Sequence, residues 1–385
     1  MTKIYRVLNS REKPMQELQT EKLQPIQMSR LPDNPLVSVL VANYNYDRYI
    51  SETLESVLSQ TYQNFEIIVC DDGSTDNSCE VIKTYVEKDS RIKLIRQQNK
   101  KVAAALNTAY QKSQGQIICI LDADDVWMPN KLQKVLEAFK SNPECGFVIH
   151  NVIQIDEHGN FIKSTPMLDG LASGWMAEYA LENGGFVDKI PPASALSLRR
   201  EITSLIFPLN EAMVRNTDSL IYRLTPLITV IGSVPEVLSQ FRLHSINLTS
   251  NSSLLSIESI EKAQDSARLV HQEQKKFLNK IYGAEIAERL KSQQHNIAFV
   301  NECYFLARLK GVSKSDRKQI HQQLITHPEF DTTFSWFKPH RWVVQWDLPD
   351  PVFNILSYQL YGPSRLKRFI KSILGERLTV NSVRK

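Results

Sequence analysis

The sequence predicts a doubly wound α/β fold, in which a mostly parallel sheet lies between helices, followed by a helical C-terminal region. Strand-like and helix-like segments alternate between residues 36 and 140, which is the order of a parallel sheet with crossover helices. The strand-like segments are apolar at consecutive positions, as expected for strands covered on both faces. Two of them end in acidic residues, at the sheet edge where open α/β sheets bind ligands.

The alternation can be followed along the chain. The predicted strands are residues 37–42, 65–70, 91–95 and 117–121, and the helical patterns that follow them cover residues 48–60, 81–86, 100–109 and 130–139. Further on, the sequence predicts a strand at 145–150, a hairpin at 152–161, a short helix near 176–181 and a strand at 191–200 before another helix. From about residue 255 the pattern is helical, with long helices predicted at 260–280 and 284–310.

The composition is that of an ordinary folded protein, with 385 residues, 42% of them hydrophobic and 23% charged. No apolar run approaches the ~18 residues of a membrane span, and residues 1–35 contain no signal-type apolar core. The five cysteines are scattered and include no CxxC pair, so neither a disulfide framework nor a zinc site is indicated. We therefore expect a cytoplasmic protein.

Three regions are predicted. Residues 1–35 are polar and interrupted by four prolines, which predicts an N-terminal extension. Residues 36–250 carry the α/β pattern. Residues 251–385 form a helical region that ends in a basic amphipathic segment.

Charge is distributed unevenly along the chain. Residues 365–385 contain seven basic residues and one acidic residue, a net charge of +6, and the whole chain has a net charge of +4, which leaves −2 for the rest. Within residues 363–378, apolar side chains recur at helical spacing. This pattern is typical of an interfacial helix at an anionic membrane surface, here on the inner face of the membrane, and also of a helix docked on the protein with a solvated basic face. It does not indicate general nucleic-acid binding.

The chemistry of the predicted sheet edge is concentrated in Asp122, Asp124 and Asp125. They follow the buried strand at 117–121 and precede a helix that begins near Pro129. Carboxylates this close repel one another unless a cation joins them, and oxygen ligands suit Mg²⁺ or Mn²⁺ bridging a diphosphate. The alternative is an Asx-type turn that caps the following helix.

Four motifs carry a resemblance to a known family. They are VSVLVANYN at 37–45, SVLSQTY at 56–62, FEIIVCDDGSTD at 65–76 and LDADD at 121–125. In this order and spacing they closely resemble the inverting glycosyltransferases of family two, which have the Rossmann-like GT-A fold. The similarity extends to FRLHSIN at 241–247, which resembles the segment that closes many such domains. The resemblance implies a nucleotide-diphosphate sugar donor and inversion at the anomeric carbon.

The resemblance also assigns donor-binding residues. It implies that the loop after the first strand holds the nucleotide, that Asp72 contacts its base and that Asp122 contacts the ribose. Lys101 falls where relatives carry a basic residue near the donor, and a solvated helix cap is the alternative for it. The predicted donor-binding set is Ala42, Asn43, Tyr44, Asp72, Lys101, Asp122 and Ala123.

The same resemblance assigns a metal site and a base. Asp124 is predicted to bind a divalent cation that bridges the diphosphate, with His244 as a further ligand, and a satisfied structural histidine is the alternative for His244. Asp125 is expected to support this site or to cap the next helix. Asp218 is the predicted general base, with Thr217 standing where the family carries a second acid, and a helix cap is the alternative for Asp218.

The predicted enzyme is a single-sugar transferase whose acceptor is a saccharide or a lipid-linked molecule of the cell envelope. A nucleotidyltransferase is a rival, but such enzymes carry a glycine-rich basic loop after the first strand, and residues 42–46 contain neither glycine nor lysine. A domain that binds nucleotide sugars without turnover is the second rival. It predicts loss of Asp124 or Asp218, and both are present.

Overall fold

The computed structural model describes residues 22–213, 217–244, 256–334 and 339–361. The predicted basic helix at 363–378 and most of the predicted N-terminal extension lie outside these ranges. The side chain of Asp218 is also outside the description. Among the described helices, none combines the length and the apolar composition that crossing a bilayer requires.

A single mixed sheet organises the described chain. Its strands are β1 (Val37–Asn43), β2 (Phe65–Asp71), β3 (Ile92–Arg96), β4 (Ile117–Asp122), β5 (Val126–Trp127), β6 (Cys145–Ile155), β7 (Leu196–Arg199) and β8 (Val230–Arg242). Their order across the sheet is β3-β2-β1-β4-β7-β6-β8-β5. The first four strands pair in parallel, and β7 pairs antiparallel with both β4 and β6. The doubly wound, mostly parallel fold is therefore confirmed.

Helices cover the sheet and form the C-terminal region. They are α1 (Ile50–Leu58), α2 (Ser78–Lys88), α3 (Lys101–Lys112), α4 (Lys131–Ser141), α5 (Ala177–Glu182), α6 (Arg200–Ile206), α7 (Thr217–Leu224), α8 (Ile257–Tyr282), α9 (Ala284–Glu288), α10 (Ile297–Leu309), α11 (Lys314–Ile325), α12 (Phe330–Thr333), α13 (Pro339–Gln345) and α14 (Asp350–Tyr361). The long helix predicted at 284–310 is in fact two helices, α9 and α10, with a short 3-10 turn at Gln293–His295 before α10.

The sheet separates two apolar cores because successive residues of a strand point to opposite faces. In β1, Leu40 belongs to the core that α3, α6 and α7 cover, whereas Val39 and Val41 belong to the core under α1, α2 and α4. All three valine and leucine side chains are fully buried. The strands are therefore apolar at consecutive positions because both faces of the sheet are covered, as the sequence predicted.

The second half of the sheet differs from its prediction. The strand predicted at 145–150 continues to Ile155 as β6, and the expected hairpin is reduced to a tight turn with one isolated bridge between Ile155 and Phe161. The long strand β8 pairs in parallel with β6 along its whole length, with register shifts around Asn151. β8 was not predicted, because its glycine, proline and polar residues hide the strand pattern.

The C-terminal helices are continuous with the α/β domain. From α8, Val270, Phe277 and Leu278 belong to the same apolar core as the sheet, together with residues of α9. Further along, α10, α11, α13 and α14 build a third core around Tyr304 and Phe353. The boundary predicted at residue 250 thus precedes a helix that shares the core of the domain before it.

Gly115 is required where the chain enters β4. A Cβ atom at this position would lie 2.5 Å from the backbone nitrogen of Ser38 on β1. The amide of Gly115 donates a hydrogen bond to Ser38 Oγ at 2.7 Å. The close approach of two backbones therefore explains this glycine.

A half-buried carboxyl group lies where the α/β domain meets the C-terminal helices. Burial raises the pKa of Glu302 on α10 to about 7, although the positive charge of Arg223 on α7 opposes the change. The folded state therefore holds a proton on Glu302 that the unfolded chain releases near its ordinary value of 4.5. The free energy of unfolding should fall as pH rises from 4.5 towards 7.

We predict that Glu302→Gln stabilises the protein above pH 7 and leaves stability unchanged below pH 4.5. The amide cannot ionise, so the difference from wild type at pH 8 should be on the order of 1–3 kcal/mol. Urea denaturation at the two pH values measures it. Glu288→Gln, at a side chain that is 71% exposed, is the control and should show no such pH dependence. Equal stability of Glu302→Gln and wild type at pH 8 would contradict the assignment.

Candidate functional site

The carboxyl ends of β1, β2 and β4 meet at one edge of the sheet. The register pairs Asn43 with Asp71 and Ala42 with Asp122. The buried amide of Asn43 donates to Asp71 Oδ2 at 2.8 Å and to Ser74 Oγ at 3.2 Å. These bonds fasten the loop after β1 to the loop after β2, so the two predicted donor-binding loops form one unit.

Asp71 is the charged centre of that unit. Burial raises its pKa, but hydrogen bonds from Ser74, Cys79 and Asn43 outweigh burial, and the net pKa lies below its ordinary value. Asp71 therefore remains a carboxylate at neutral pH. The Oδ1 atom of Asn43 has no hydrogen-bond partner within the described chain.

Asp72 directly follows β2, and its carboxylate contacts the backbone at the start of α3. Its Oδ1 accepts hydrogen bonds from Gln97 Nε2 at 2.7 Å and the Lys100 amide at 2.8 Å, and its Oδ2 accepts from the Lys101 amide at 2.7 Å. Gly73 follows with a φ of +79°, which glycine adopts without strain. Asp72 thus ties the loop after β2 to the turn between β3 and α3, and its predicted contact with a nucleotide base stays a prediction.

The acidic loop after β4 is fixed in place by its last acidic residue, Asp125. Asp125 is 1% exposed, and its carboxyl oxygens accept hydrogen bonds from Ser194 Oγ at 2.6 Å and from the Arg242 amide at 2.8 Å. Burial raises the pKa of Asp125 well above its ordinary value, and the neighbouring charges of Asp124 and Asp122 add to this effect. Asp125 therefore positions the loop.

Arg242, at the end of β8, crosses under the acidic loop. Its Nε donates to the backbone oxygen of Asp124 at 2.8 Å, and its Nη2 donates to Glu52 Oε2 on α1 at 2.6 Å. The guanidinium also lies 5.0 Å from the ring centroid of Tyr49. One side chain thereby ties the acidic loop to β8 and to α1.

His244 and Asp124 come together, although 120 residues separate them in the sequence. The Nε2 atom of His244 lies 2.8 Å from Oδ2 of Asp124, and the two side chains are 2% and 7% exposed. The imidazole stacks on Tyr49 with ring centroids 5.1 Å apart. Tyr46 packs against its edge, and burial followed by the charge of Asp124 raises the pKa of that phenol. The pair is therefore oriented from several sides.

A divalent cation fits this pair by the chemistry of its donors. A carboxylate oxygen and an imidazole nitrogen are both accepted by Mn²⁺, and Mg²⁺ commonly takes one or two protein ligands together with substrate phosphates. Within the described ranges, no three His, Cys, Asp or Glu side chains converge as a metal cluster. The remaining ligands of a cation here would come from a diphosphate and water.

The remaining predicted residues surround this edge or lie outside the description. Ala42 is half-buried near the end of β1, Tyr44 is 44% exposed in the loop that follows, and Ala123 is buried between the acids. Lys101 is the first residue of α3, exposed and with a φ of +74°. Asp218 occupies the first turn of α7, and its side chain is among the undescribed ones.

Two residues of the site were missed by sequence reasoning. Ser194 orders the acidic loop through Asp125 and through the Asp122 amide, which donates to its Oγ at 3.1 Å. Nothing in the local sequence singles out this serine. Arg242 lies two residues before His244 in the segment that resembles the family, and this position could have marked it as a candidate site residue.

Comparison with known proteins gives the family. The sequence profile of glycosyl transferase family 2 matches residues 38–198. The glycosyltransferase alr2836 of Nostoc sp. is 34% identical over 253 residues, which cover 65% of this chain and 78% of that protein. The chain belongs to glycosyl transferase family 2. It is accordingly a glycosyltransferase.

One further relative and one solved structure differ in how far they match the transferase. The Escherichia coli enzyme WfgD, a UDP-Glc:alpha-D-GlcNAc-diphosphoundecaprenol beta-1,3-glucosyltransferase, is 43% identical over 111 residues, 29% of the transferase and 43% of WfgD. The transferase thus spans less than half of the length of that relative. Staphylococcus aureus TarS 1-349, solved with UDP-GlcNAc, is 17% identical with a TM-score of 0.49, covering 86% of the transferase and 92% of TarS 1-349.

The contacts of Arg242 make a prediction for the transferase. In Arg242→Lys the planar fork that reaches both Asp124 and Glu52 is lost, while the positive charge is kept. We expect Mn²⁺ affinity, measured by calorimetric titration, to fall about 10- to 100-fold, as for other residues that orient metal ligands. Arg48→Lys is the matched control, since Arg48 also lies over Tyr49, at 5.4 Å, but pairs with Glu157 on the surface. Equal Mn²⁺ affinity of the two variants would refute the orienting role.

Proposed function

We propose that the transferase moves a sugar from a nucleotide-diphosphate donor to an acceptor hydroxyl, with inversion at the anomeric carbon and with the help of a divalent cation. The observation that carries this proposal is the contact of Asp124 with His244 at the sheet edge where β1, β2 and β4 end. Loops that could hold a nucleotide and donors that could hold a metal ion lie together there.

Asp124 Oδ2 and His244 Nε2 would hold the cation, which is Mg²⁺ or Mn²⁺. When bound, such an ion supplies positive charge that stabilises the departing diphosphate. The protein keeps both donors in place through Arg242, Tyr49 and the buried carboxyl of Asp125. Because these supports are buried, the two donors need little rearrangement to bind an ion.

The donor nucleotide would lie along the joined loops after β1 and β2. Asn43 and Asp71 fix the first loop to the second, and Asp72 fixes the second loop to α3. The proposed nucleotide contacts are Ala42, Asn43, Tyr44, Asp72, Lys101, Asp122 and Ala123. Tyr44 and Lys101 are the exposed members of this set, and Ala42 and Asp122 are half-buried.

Asp218 is the proposed general base. The acceptor hydroxyl gives its proton to the Asp218 carboxylate while its oxygen forms a bond to the anomeric carbon. The bond from that carbon to the diphosphate oxygen breaks at the same time, and the diphosphate leaves with the electron pair. Attack from the face opposite the leaving group inverts the configuration.

The proposed acceptor is a saccharide or lipid-linked intermediate in the synthesis of a cell-envelope polysaccharide. The relative WfgD is named for its action on a diphosphoundecaprenol-linked sugar, which supports a lipid-linked acceptor. The apolar and basic segments near the C-terminus of the transferase suit work at a membrane surface.

The first experiment is thermal shift of the wild-type protein with a panel of nucleotides and nucleotide sugars, each with Mn²⁺ and with EDTA. The proposal predicts that one donor raises the melting temperature and that EDTA abolishes the shift, because a ligand that binds the native state stabilises it. Release of nucleoside diphosphate, with and without a saccharide acceptor, then tests turnover.

The alternative is a catalytically degenerate domain that binds nucleotide sugars or serves as a scaffold. A donor that binds but is never cleaved, even with candidate acceptors, would favour it. A donor that binds equally well in EDTA would remove the metal from the proposal and leave the rest standing.

A further inference from the structure

An exposed aromatic surface lies on α13, α14 and the residue that follows α13. It consists of Trp342, Trp346, Val352, Ile355 and Tyr358, whose exposed fractions are 57%, 57%, 43%, 64% and 51%. Single exposed apolar side chains are normal on a protein surface. Five large ones on two short consecutive helices and the residue that follows the first are not, and they indicate an interaction surface.

The exposure is not a sign of loose packing. The opposite sides of the same helices contribute Val343, Val344 and Phe353 to the third core, and each of these is at most 1% exposed. The connection between α13 and α14 is held by Asp347, whose carboxylate pairs with the buried Arg308 at 2.9 Å and with Arg317 at 3.1 Å. The aromatic surface is therefore presented outward by a fixed support.

The composition of the surface points to a lipid bilayer. Tryptophan and tyrosine concentrate at membrane interfaces, where the ring is apolar and its polar atom stays among the headgroups. Ile355, the most exposed of the five, adds an aliphatic side chain of the kind that enters the acyl region. A surface with two tryptophans, a tyrosine and two aliphatic side chains suits the interface rather than the centre of a bilayer.

The charge of the adjoining sequence specifies the lipid. α14 ends at Tyr361, and residues 365–385 carry a net charge of +6. Basic residues that follow a membrane-facing surface in the chain are attracted to anionic headgroups. Apolar insertion and basic attraction therefore favour the same partner, and two such contributions together give stable membrane attachment where one is marginal.

We propose that Trp342, Trp346, Val352, Ile355 and Tyr358 dock the transferase onto an anionic lipid bilayer. The inference is independent of the sugar-transfer chemistry, because docking requires neither a donor nor a metal ion. It places the membrane contact on described helices of the C-terminal region rather than on the basic segment alone.

The test is co-flotation of the full-length protein with vesicles of phosphatidylcholine, alone or mixed in equal parts with phosphatidylglycerol, without nucleotide or metal. Wild type should bind the mixed vesicles, bind weakly to phosphatidylcholine alone and release as salt is raised, because salt screens the headgroup charge. The double variant Trp342→Ser with Ile355→Ser should bind the mixed vesicles about tenfold more weakly, since apolar area no longer enters the bilayer.

Phe161→Ser is the matched control, because Phe161 is 61% exposed in the α/β domain. It should bind vesicles as wild type does. Because all three substituted side chains are exposed, circular dichroism and melting temperatures should match wild type, which separates loss of docking from loss of fold. Quenching of tryptophan fluorescence by lipids brominated on their acyl chains should occur in wild type and decline in the double variant.

Three outcomes would overturn the proposal. The first is undiminished vesicle binding by the double variant. The second is a wild-type dimer in light scattering that the double variant dissociates, with no vesicle binding by either, which would assign the surface to a second copy of the chain. The third is a fall in melting temperature of the double variant with no vesicle binding by wild type, which would show that another part of the same chain covers the surface.

Discussion

Asp124→Asn is expected to reduce turnover by about 10²- to 10⁴-fold, because the cation proposed for this site would supply several kcal/mol of charge stabilisation to the departing diphosphate. The substitution keeps the shape of the side chain and removes the charge that faces His244 Nε2 at 2.8 Å. The hydrogen bond from Arg242 reaches the backbone oxygen of residue 124 rather than its carboxylate. The loop should therefore keep its conformation while losing its affinity for the ion.

The measurement is the initial rate of nucleoside diphosphate release at increasing Mn²⁺, with Mn²⁺ binding followed separately by calorimetry. Both should weaken in Asp124→Asn, and excess Mn²⁺ should restore part of the rate if the ion still binds weakly. Asp265→Asn is the control, since Asp265 is 71% exposed on α8. A variant that keeps wild-type Mn²⁺ affinity and rate would exclude Asp124 as a metal ligand.

Asp218→Asn should lower kcat by about 10²- to 10⁴-fold, the usual contribution of a general base. This substitution separates the two interpretations of Asp218. Asparagine caps a helix about as well as aspartate does, so a residue that only caps α7 would tolerate the change. An amide cannot accept the proton of the acceptor hydroxyl, so a base would not.

Donor binding in the presence of Mn²⁺ should be unchanged in Asp218→Asn, because the proposed step concerns the acceptor. Thermal shift with the donor checks this, and single-turnover rates with the acceptor check the chemical step. A loss of kcat without a change in melting temperature or donor affinity supports the base. A kcat within a few fold of wild type would leave the helix cap as the role of Asp218.

The first half of the fold could be predicted because each strand is apolar and each connection is a short helix. The patterns around β1, β2 and β4 predict both their secondary structure and the sheet edge where the polar end of β1 meets the acidic ends of β2 and β4. For β8, the parallel partner is β6, and a strand containing Gly232 and Pro235 gives no local sign of that pairing. The position of β8 depends on its pairing with β6, which is distant in the sequence, so local sequence patterns do not predict it.

The roles predicted for the site residues stay predictions, and the structure bears only on which of them lie together. The meeting of Asp124 with His244 was expected from the resemblance to the family, and the structure shows the two in contact. The family-like segment marks the position of Arg242, but its contacts could not be read from the sequence. One of them is to a backbone oxygen, which every residue possesses, and another is to Glu52, which is 190 residues away. The role of Ser194 could not be predicted either, because it depends on the buried Asp125 carboxyl group to which its hydroxyl donates a hydrogen bond.

The shared core between the sheet and α8 sets where this protein can be cut or recombined. A chain ending at residue 250 would uncover the apolar surface against which Val270, Phe277 and Leu278 pack, and it should aggregate rather than fold. Leu290, which follows α9, is the last residue in the sequence that packs into this core. An exchange of the remaining C-terminal helices between relatives would therefore need its junction after Leu290. The α/β domain and α8 therefore have to be kept together when the chain is truncated or recombined.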